Sequence, residues 1–511
     1  MLRRILIYLG KKNGGKGGRQ AMEDTKCRQH HALAVALPGQ GHINPLMRLC
    51  KRLAAEHAFT ITFLDIHLHH EEAAAAESSP AAHQEPSPAP AAAAHDVEFS
   101  PPDPAQKLDI RRARLSLYLP PPSSSAAMLE GFFEGVQTLA PQIEQLLLRL
   151  QQQHPPITCL ISDLFVTAAT QYLADKLQLP RVALIPCSHS IILHFHHLLE
   201  GGFSLEEVMK VSIQRELLRE NVFKEGLQGL PTLKVDDLME NFGEDFFMYT
   251  FTCKALQETK NKAHAFVVNS FEEIEGNALK VNMKAPLYAV GPLVEPPEKE
   301  ASTSLLEEDD ACLLWLDQQP CSSILFISFG SFASISLAQF EELVAGLLSS
   351  RQRFLWVFCP HLINDIVFTT FPEQLLLESC GRGYVVSWAP QVKVLSHCSI
   401  HGFLTHCGWN STLEAIRSGI PMICFPYFAY QFMDAKLIVE EWKVGFRLRK
   451  SKESGLVDRE EVERAIRALM EEKEGQILHK NALVLKQLCD QNYLSGGYAF
   501  KNVQALVQSL N

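Results

Sequence analysis

Residues 31–64 read HALAVALPGQGHINPLMRLCKRLAAEHAFTITFL, and the alternation inside this stretch decides the fold. Ala32–Leu37 is a short apolar run closed by Pro38-Gly39-Gln40-Gly41, the pattern of a buried strand entering a turn. Asn44 is placed to cap a helix with Pro45 at its first position, and Leu46, Leu49, Cys50 and Leu53 recur at helical spacing. Phe59–Leu64 is the next strand. Strand, helix, strand requires a parallel pair, because the crossover returns the chain to run in the same direction.

The alternation extends in both directions along the chain. Ile157–Ile161, the helix-like Val166–Leu177 and Val182–Ile185 continue it. Ile324–Ser328, the turn Phe329-Gly330-Ser331 and a capping-box helix start at Ser336–Gln339 begin a second series. Phe354–Phe358, Tyr384–Val386, Phe403–Thr405 and Met422–Phe425 carry that series on. The expected class is α/β, two doubly wound Rossmann-like domains facing a cleft, with ligands at the carboxyl ends of both sheets.

At 511 residues the chain exceeds one core, in keeping with two domains. We expect a disordered basic tail over 1–30, where Arg3, Arg4, Lys11, Lys12, Lys16 and Arg19 precede any acid. The first domain then spans 31–292 and includes an alanine- and proline-rich surface loop over 71–95. A linker over 293–311 joins it to the second domain at 312–490, and a C-terminal helix within 491–511 packs back on the first domain. Apolar residues at 47% against 21% charged give a globular balance, and the net charge of −11 argues against a nucleic-acid surface. No apolar run reaches the ~18 residues of a membrane span. Thirteen cysteines, many inside apolar runs such as Ile423-Cys424-Phe425, suggest reduced, buried thiols in a reducing compartment. A cytoplasmic monomer is expected.

His42, Asp163 and His406 each follow a predicted strand, so all three should line the crevice. For His42 the sharp reading is a general base steadied by Asp163; the plain one is two side chains that never meet. In His406-Cys-Gly-Trp-Asn-Ser-Thr-Leu-Glu414 a strand ends, a glycine turns and a helix begins near Ser411, exposing amides that favour a phosphate. Ser411 and Glu414 also fit a capping box that would merely satisfy backbone donors. The cluster of His397, Cys398, His401, His406 and Cys407 lacks zinc-site spacing, and no metal is expected. A dinucleotide-dependent oxidoreductase is disfavoured, because no G-x-G-x-x-G follows the first strand.

WAPQVKVLSHCSIHGFLTHCGWNSTLEAIRSGIPMICFPYFAYQ, Trp388–Gln431, resembles the signature box of the plant UDP-dependent glycosyltransferases of small molecules. PGQGHINP around His42, CLISDLF around Asp163, VVNSFEEIE, YAVGPL, WLDQQP and SFGS resemble further motifs of that family. The resemblance implies a GT-B fold and an inverting transfer of a hexose, glucose first, from a UDP-sugar co-substrate to a small lipophilic acceptor. No other cofactor is implied. His42 and Asp163 match the family's catalytic pair. Trp388 would stack on the uracil, with Ala389 also among the donor-binding residues, Gln391 would lie near the ribose and base, and Glu414 would accept from the ribose hydroxyls. Ser331, His406, Asn410 and Ser411 would hold the diphosphate, with Trp409, Tyr430 and Gln431 on the sugar side. Tyr430 departs from the family, where an acidic residue precedes the final glutamine; a phenol offers only a neutral contact there. The departure leaves room for a catalytically impaired nucleotide-sugar binder.

Overall fold

The computed structural model describes residues 30–70, 98–100, 108–119, 125–201, 227–233, 237, 244–297, 308–331, 335–358, 371–494 and 496–511. The expected tail up to residue 29, the 71–95 loop and residues 298–307 of the linker lie outside the described residues. His30, expected in the tail, is instead buried: its ring stacks on Phe59 and bonds Asn511 at the far end of the chain.

The first sheet contains β1 (His31–Val35), β2 (Thr60–His70), β3 (Glu98–Ser100), β4 (Ile110–Leu119), β5 (Cys159–Asp163), β6 (Arg181–Ile185), β7 (Ala265–Val268) and β8 (Leu287–Ala289). Their order is β3-β4-β2-β1-β5-β6-β7-β8, parallel except where β3 meets β4. The second sheet is parallel throughout its described pairs. It orders β9 (Ile324–Ser328), β10 (Arg353–Val357), β11 (Gly383–Val386), β12 (Ile400–Thr405), β13 (Met422–Cys424) and β14 (Gly445–Arg447) as β11-β10-β9-β12-β13-β14. Helices cover both faces, so β1, β5, β6, β7 and β9 are buried at every position and read as apolar runs with polar residues only at their ends. The order reverses between β1 and β5 in one sheet and between β9 and β12 in the other, the switch points where such sheets open a crevice.

The first helix corrects the sequence reading. It spans Gln40–His57, starting after Gly39 in extended backbone, so Asn44 is not its cap and Pro45 lies inside it. Proline lacks the N–H that would serve the carbonyl four residues back, leaving Gly41 O without its helical donor. Asn410 Nδ2 from the second domain donates to that carbonyl at 2.6 Å. Ser336 does cap its helix by accepting from Gln339 N at 3.2 Å. Gln339 does not return the bond; its side chain pins the backbone of Val457 through both ends.

Beyond β14, the helix Arg459–Glu471 buries Val462, Ala465, Ile466 and Leu469 in the second core, and Lys473–Tyr493 follows it. The last helix, Tyr498–Ser509, crosses to the first sheet. Val503 and Leu506 enter that core fully buried, and Asn502 Nδ2 donates to Ala289 O at 2.7 Å. We expect Leu506→Ala to destabilise the protein by about 2–4 kcal/mol, read from denaturant unfolding of the first domain's signal. A change within error would show that the helix is not part of that core.

Candidate active site

β1 leads through a turn into the first helix, and β5 ends on Asp163; the two strands are hydrogen-bonded neighbours with Val35 opposite Ser162. That register brings together two residues far apart in sequence. His42 Nδ1 donates to Asp163 Oδ2 at 2.6 Å, with the carboxylate wholly buried and the ring 14% exposed. His42 sits in the first turn of the helix rather than on a loop. The other carboxylate oxygen accepts Phe165 N at 2.8 Å, which fixes the carboxylate plane. Behind Asp163 the buried Arg181 donates to Ser162 Oγ at 2.7 Å and Thr167 Oγ1 at 2.8 Å. Burial pushes its guanidinium down to about 9, while the charge of Asp163 acts to raise it. A cation placed there balances a buried carboxylate.

At the opposing switch point, β9 ends in a turn where Gly330 takes φ of +73° and Ser331 is exposed, and β12 ends at Thr405 with His406 directly after it. A Cβ on Gly330 would stand 2.7 Å from His406 Nε2, and one on Gly408 would stand 2.5 Å from it. Glycine at both places is what lets the imidazole lie between the two turns. Burial pushes that ring down to about 4, so it is neutral at physiological pH.

The helix after His406 begins at Trp409, two residues before the predicted start, with Gly408 as its N-cap. Ser411 and Glu414 therefore do not form a capping box. Gln391 Nε2 donates to Ser411 Oγ at 2.9 Å and to Glu414 Oε2 at 2.8 Å, while Arg48 Nη1 donates to Glu414 Oε1 at 3.0 Å. Asn410 bridges Gly41 O and the side chain of Asn269. Trp388 is partly buried against the second core and Ala389 is buried beside it. Trp409 does not present its ring to a sugar: the indole is buried, donates to Asn269 O at 2.8 Å and packs near Trp442. Gln431 Oε1 accepts from Tyr427 N and Phe428 N, both at 2.9 Å, which orients its amide.

Between the two halves lies a mainly apolar pocket whose walls include Phe165, Ile191, Phe195, Met248, Tyr249 and Tyr430. Phe165 meets His42 edge-on with ring centres 5.5 Å apart, so the pocket abuts the dyad. Tyr430 therefore stands in the wall of this pocket, packed against the core that holds Leu193, Leu256 and Met433, and burial pushes its phenol well up. On the neighbouring helix His189–Glu200, His189, His194 and His196 are buried, and His194 Nε2 is hydrogen-bonded to Tyr249, while His197 is half-buried and bonds Gln228 O.

Residues 304–492 match the family described as UDP-glucoronosyl and UDP-glucosyl transferase. Gallate 1-beta-glucosyltransferase 84A23 of Punica granatum is 32% identical over 94% of this chain and 90% of its own length. UDP-glycosyltransferase 85A7 of Arabidopsis thaliana is 31% identical over 95% of this chain and 97% of its own. The chain belongs to the plant family 1 UDP-glycosyltransferases. Among solved structures, the Polygonum tinctorium UDP-glucosyltransferase capable of glucosylating indoxyl, in complex with 3,4-dichloroaniline, aligns with a TM-score of 0.71 and 28% identity. That alignment covers 94% of this chain and 99% of that one. Phytolacca americana UGT2, complexed with UDP-2-fluoro-glucose and pterostilbene, gives 0.71 and 26% over 94% and 99%. The fold is GT-B, and the activity is glycosyl transfer from a UDP-sugar to a small-molecule acceptor.

Two residues of this glycosyltransferase that hold the site together, Arg48 and Arg181, carry no signal in the sequence reading, and Asn269 was marked only as part of the VVNSFEEIE motif, with no role assigned. Each makes its contact through a partner remote in sequence or through a buried polar network, and periodicity reports neither. The His and Cys cluster is dispersed by the fold. His397 bonds Asp317, Cys398 meets Cys321, and His401 stacks on His479. Among the described residues no group of three or more such side chains is placed to hold a metal, and no helix is long and apolar enough to cross a membrane. The thiols need one correction: eight of the described cysteines are buried, but Cys321, Cys380 and Cys398 are exposed.

Burial holds His189 at about 4, His194 at about 3 and His406 at about 4. An unfolded chain takes up those protons near pH 6.5, whereas the folded one stays neutral until much lower pH. Stability should therefore be full above pH 7 and fall as pH drops from 6.5 toward 4, by at most about 1.4 kcal/mol per pH unit for each ring. Thermal scans across pH 4–8 check this, and a flat melting temperature down to pH 5 would contradict it.

Proposed function

We propose that this glycosyltransferase moves glucose from UDP-glucose, with inversion, to a hydroxyl or carboxyl of a small lipophilic acceptor. The observation that carries this reading is the 2.6 Å contact of His42 with Asp163 beside an apolar pocket. His42 Nε2 takes the acceptor proton as the acceptor oxygen attacks the anomeric carbon and the bond to UDP breaks. Asp163 holds the ring through Nδ1 and stabilises the imidazolium that forms. Residues 31–292 supply the acceptor side and 312–490 the donor side.

On the donor side, Trp388 with Ala389 receives the base, Gln391 and Glu414 the ribose, and Ser331, His406, Asn410 and Ser411 the diphosphate. The start of the helix Trp409–Ser418 places backbone amides and a helix dipole behind the leaving group, so the reading calls on no metal and no cofactor beyond the UDP-sugar. Gln431 faces the sugar, and Trp409 contributes through its backbone. The ligands of relatives fit the same choice: gallate for the Punica enzyme, and a fluorinated UDP-glucose with pterostilbene for the Phytolacca one. Tyr430 serves the acceptor wall. A monomer in the reducing cytoplasm completes the reading.

Purified protein incubated with UDP-glucose and a panel of phenols and hydroxylated acids should release UDP. A chain that binds UDP yet releases none from any UDP-sugar is the silent binder that Tyr430 left open. His42→Ala should lower kcat by about 10²–10⁴-fold with the Kd for UDP unchanged; undiminished turnover would remove the general-base role. Tyr430→Ala should shift acceptor KM and admit bulkier acceptors while the KM for UDP-glucose holds. The opposite split would return Tyr430 to the sugar side.

A further inference from the structure

We propose that Cys321 and Cys398 are a thiol pair that closes into an intramolecular disulfide under oxidation and staples the donor domain at the edge remote from its ligand. Their Sγ atoms are 3.2 Å apart and both residues are exposed. An S–S bond of about 2.0 Å needs only about an ångström of further approach. The backbone already holds the two turns together. Ser322 N donates to Cys398 O at 2.8 Å, and Ser323 N and Ile324 N both donate to Ser399 O at 2.9 Å. Ser399 Oγ ties the second turn to Leu316 O at 2.9 Å, and His397 Nε2 lies 3.1 Å from Asp317 Oδ1. Two loops so fastened keep the sulfurs in register.

Eight of the other described thiols are buried, and burial pushes Cys159, Cys253, Cys312 and Cys489 up to about 12, which withholds the reactive thiolate. Cys398 is itself raised by its hydrogen bond with Cys321, so what singles out the pair is its exposure and the separation of its sulfurs. Cys380 is exposed but lies past the end of the helix Phe371–Glu378, with its sulfur turned to Glu378 O. It serves as an internal control.

With glutathione disulfide as oxidant the chemistry balances. The thiolate of one cysteine attacks the glutathione S–S bond and releases one glutathione thiol. The second protein thiolate then attacks the mixed disulfide and releases another. The protein gains one S–S bond and loses two S–H bonds, and the two protons leave on glutathione.

The pair sits where the chain enters β9 and β12, while Ser331 and His406 follow the exits of the same strands. Five or six residues at about 3.3 Å each separate the two ends, so the staple lies roughly 15–20 Å from the donor groups. It ties positions 77 residues apart, which constrains the unfolded chain. The expected result is higher thermal stability with turnover unchanged.

The test uses the full chain with Cys27 and Cys359, which lie outside the described residues, changed to serine. Reduced protein is incubated with glutathione disulfide, then mapped by non-reducing peptide mass spectrometry and melted. We expect a 321–398 crosslink, no glutathione retained on Cys321 or Cys398, and a melting temperature several degrees higher that dithiothreitol reverses. Cys398→Ser and Cys321→Ser should each retain one glutathione on the remaining cysteine and show no rise, whereas Cys380→Ser should behave as the parent. Stable glutathione adducts on both cysteines, or a crosslink through Cys380 or a second chain, would overturn the pair. An unmoved melting temperature after complete crosslinking would overturn the staple.

Discussion

The hydrogen-bonded pairing of β1 with β5, and of β9 with β12, is the constraint on which the site depends. In each sheet these are the adjacent strands whose crossovers leave to opposite sides, so neither crossover covers the space beyond their carboxyl ends. Everything placed just after those four strands must border the gap. His42 follows β1 and Asp163 closes β5; Gly330 and Ser331 follow β9 and His406 follows β12. The chemistry is thus concentrated by topology before any side chain contributes.

Two domains that each end in such a gap still need a fixed relation, and polar contacts crossing the cleft supply it. Arg48 reaches from the first helix to Glu414, both nearly inaccessible, over a sequence separation of 366. Removing one member of a buried pair leaves an uncompensated charge at a cost of about 3–5 kcal/mol, so this contact resists separation of the halves more than an exposed pair would. Asn410 binds Gly41 O because Pro45 cannot, and Trp409 binds Asn269 O. The residues expected to hold the donor are therefore already held by the acceptor half.

The fold was legible because parallel strands buried on both faces leave apolar runs, and the turns between them carry glycine and proline. His42, Asp163 and His406 were legible for the same reason, since each directly follows such a run. Contacts were not. Nothing in the spacing of His42 and Asp163, 121 residues apart, says that their strands are neighbours. The helix starts failed where local signals compete. Asn44-Pro45 imitates a cap and first turn, yet an extended Gly39 permits an earlier start, with the orphaned carbonyl satisfied from the other domain. Ser411 and Glu414 imitate a capping box, yet both are drawn to Gln391. The burial of Trp409 was not legible, because its indole partner, Asn269 O, lies 140 residues away in sequence.

Tyr430 shows how one residue changes partners without leaving its motif. It immediately precedes the short helix Gln431–Lys436, whose Phe432 and Met433 are buried, so the ring is carried toward whatever that helix packs upon. What it packs upon is the first domain's core, including Leu193 and Met433's neighbours around the pocket. A carboxylate there would meet apolar walls and the buried Asp434, whose own carboxyl burial already holds well above the usual range. A second negative charge in that place would be raised by both burial and repulsion, whereas a neutral phenol is not penalised. The substitution is thus consistent with its surroundings. On the proposed reading it shifts recognition of the sugar onto Gln431 and the turn at Trp409, and gives the acceptor pocket an aromatic wall from the donor half.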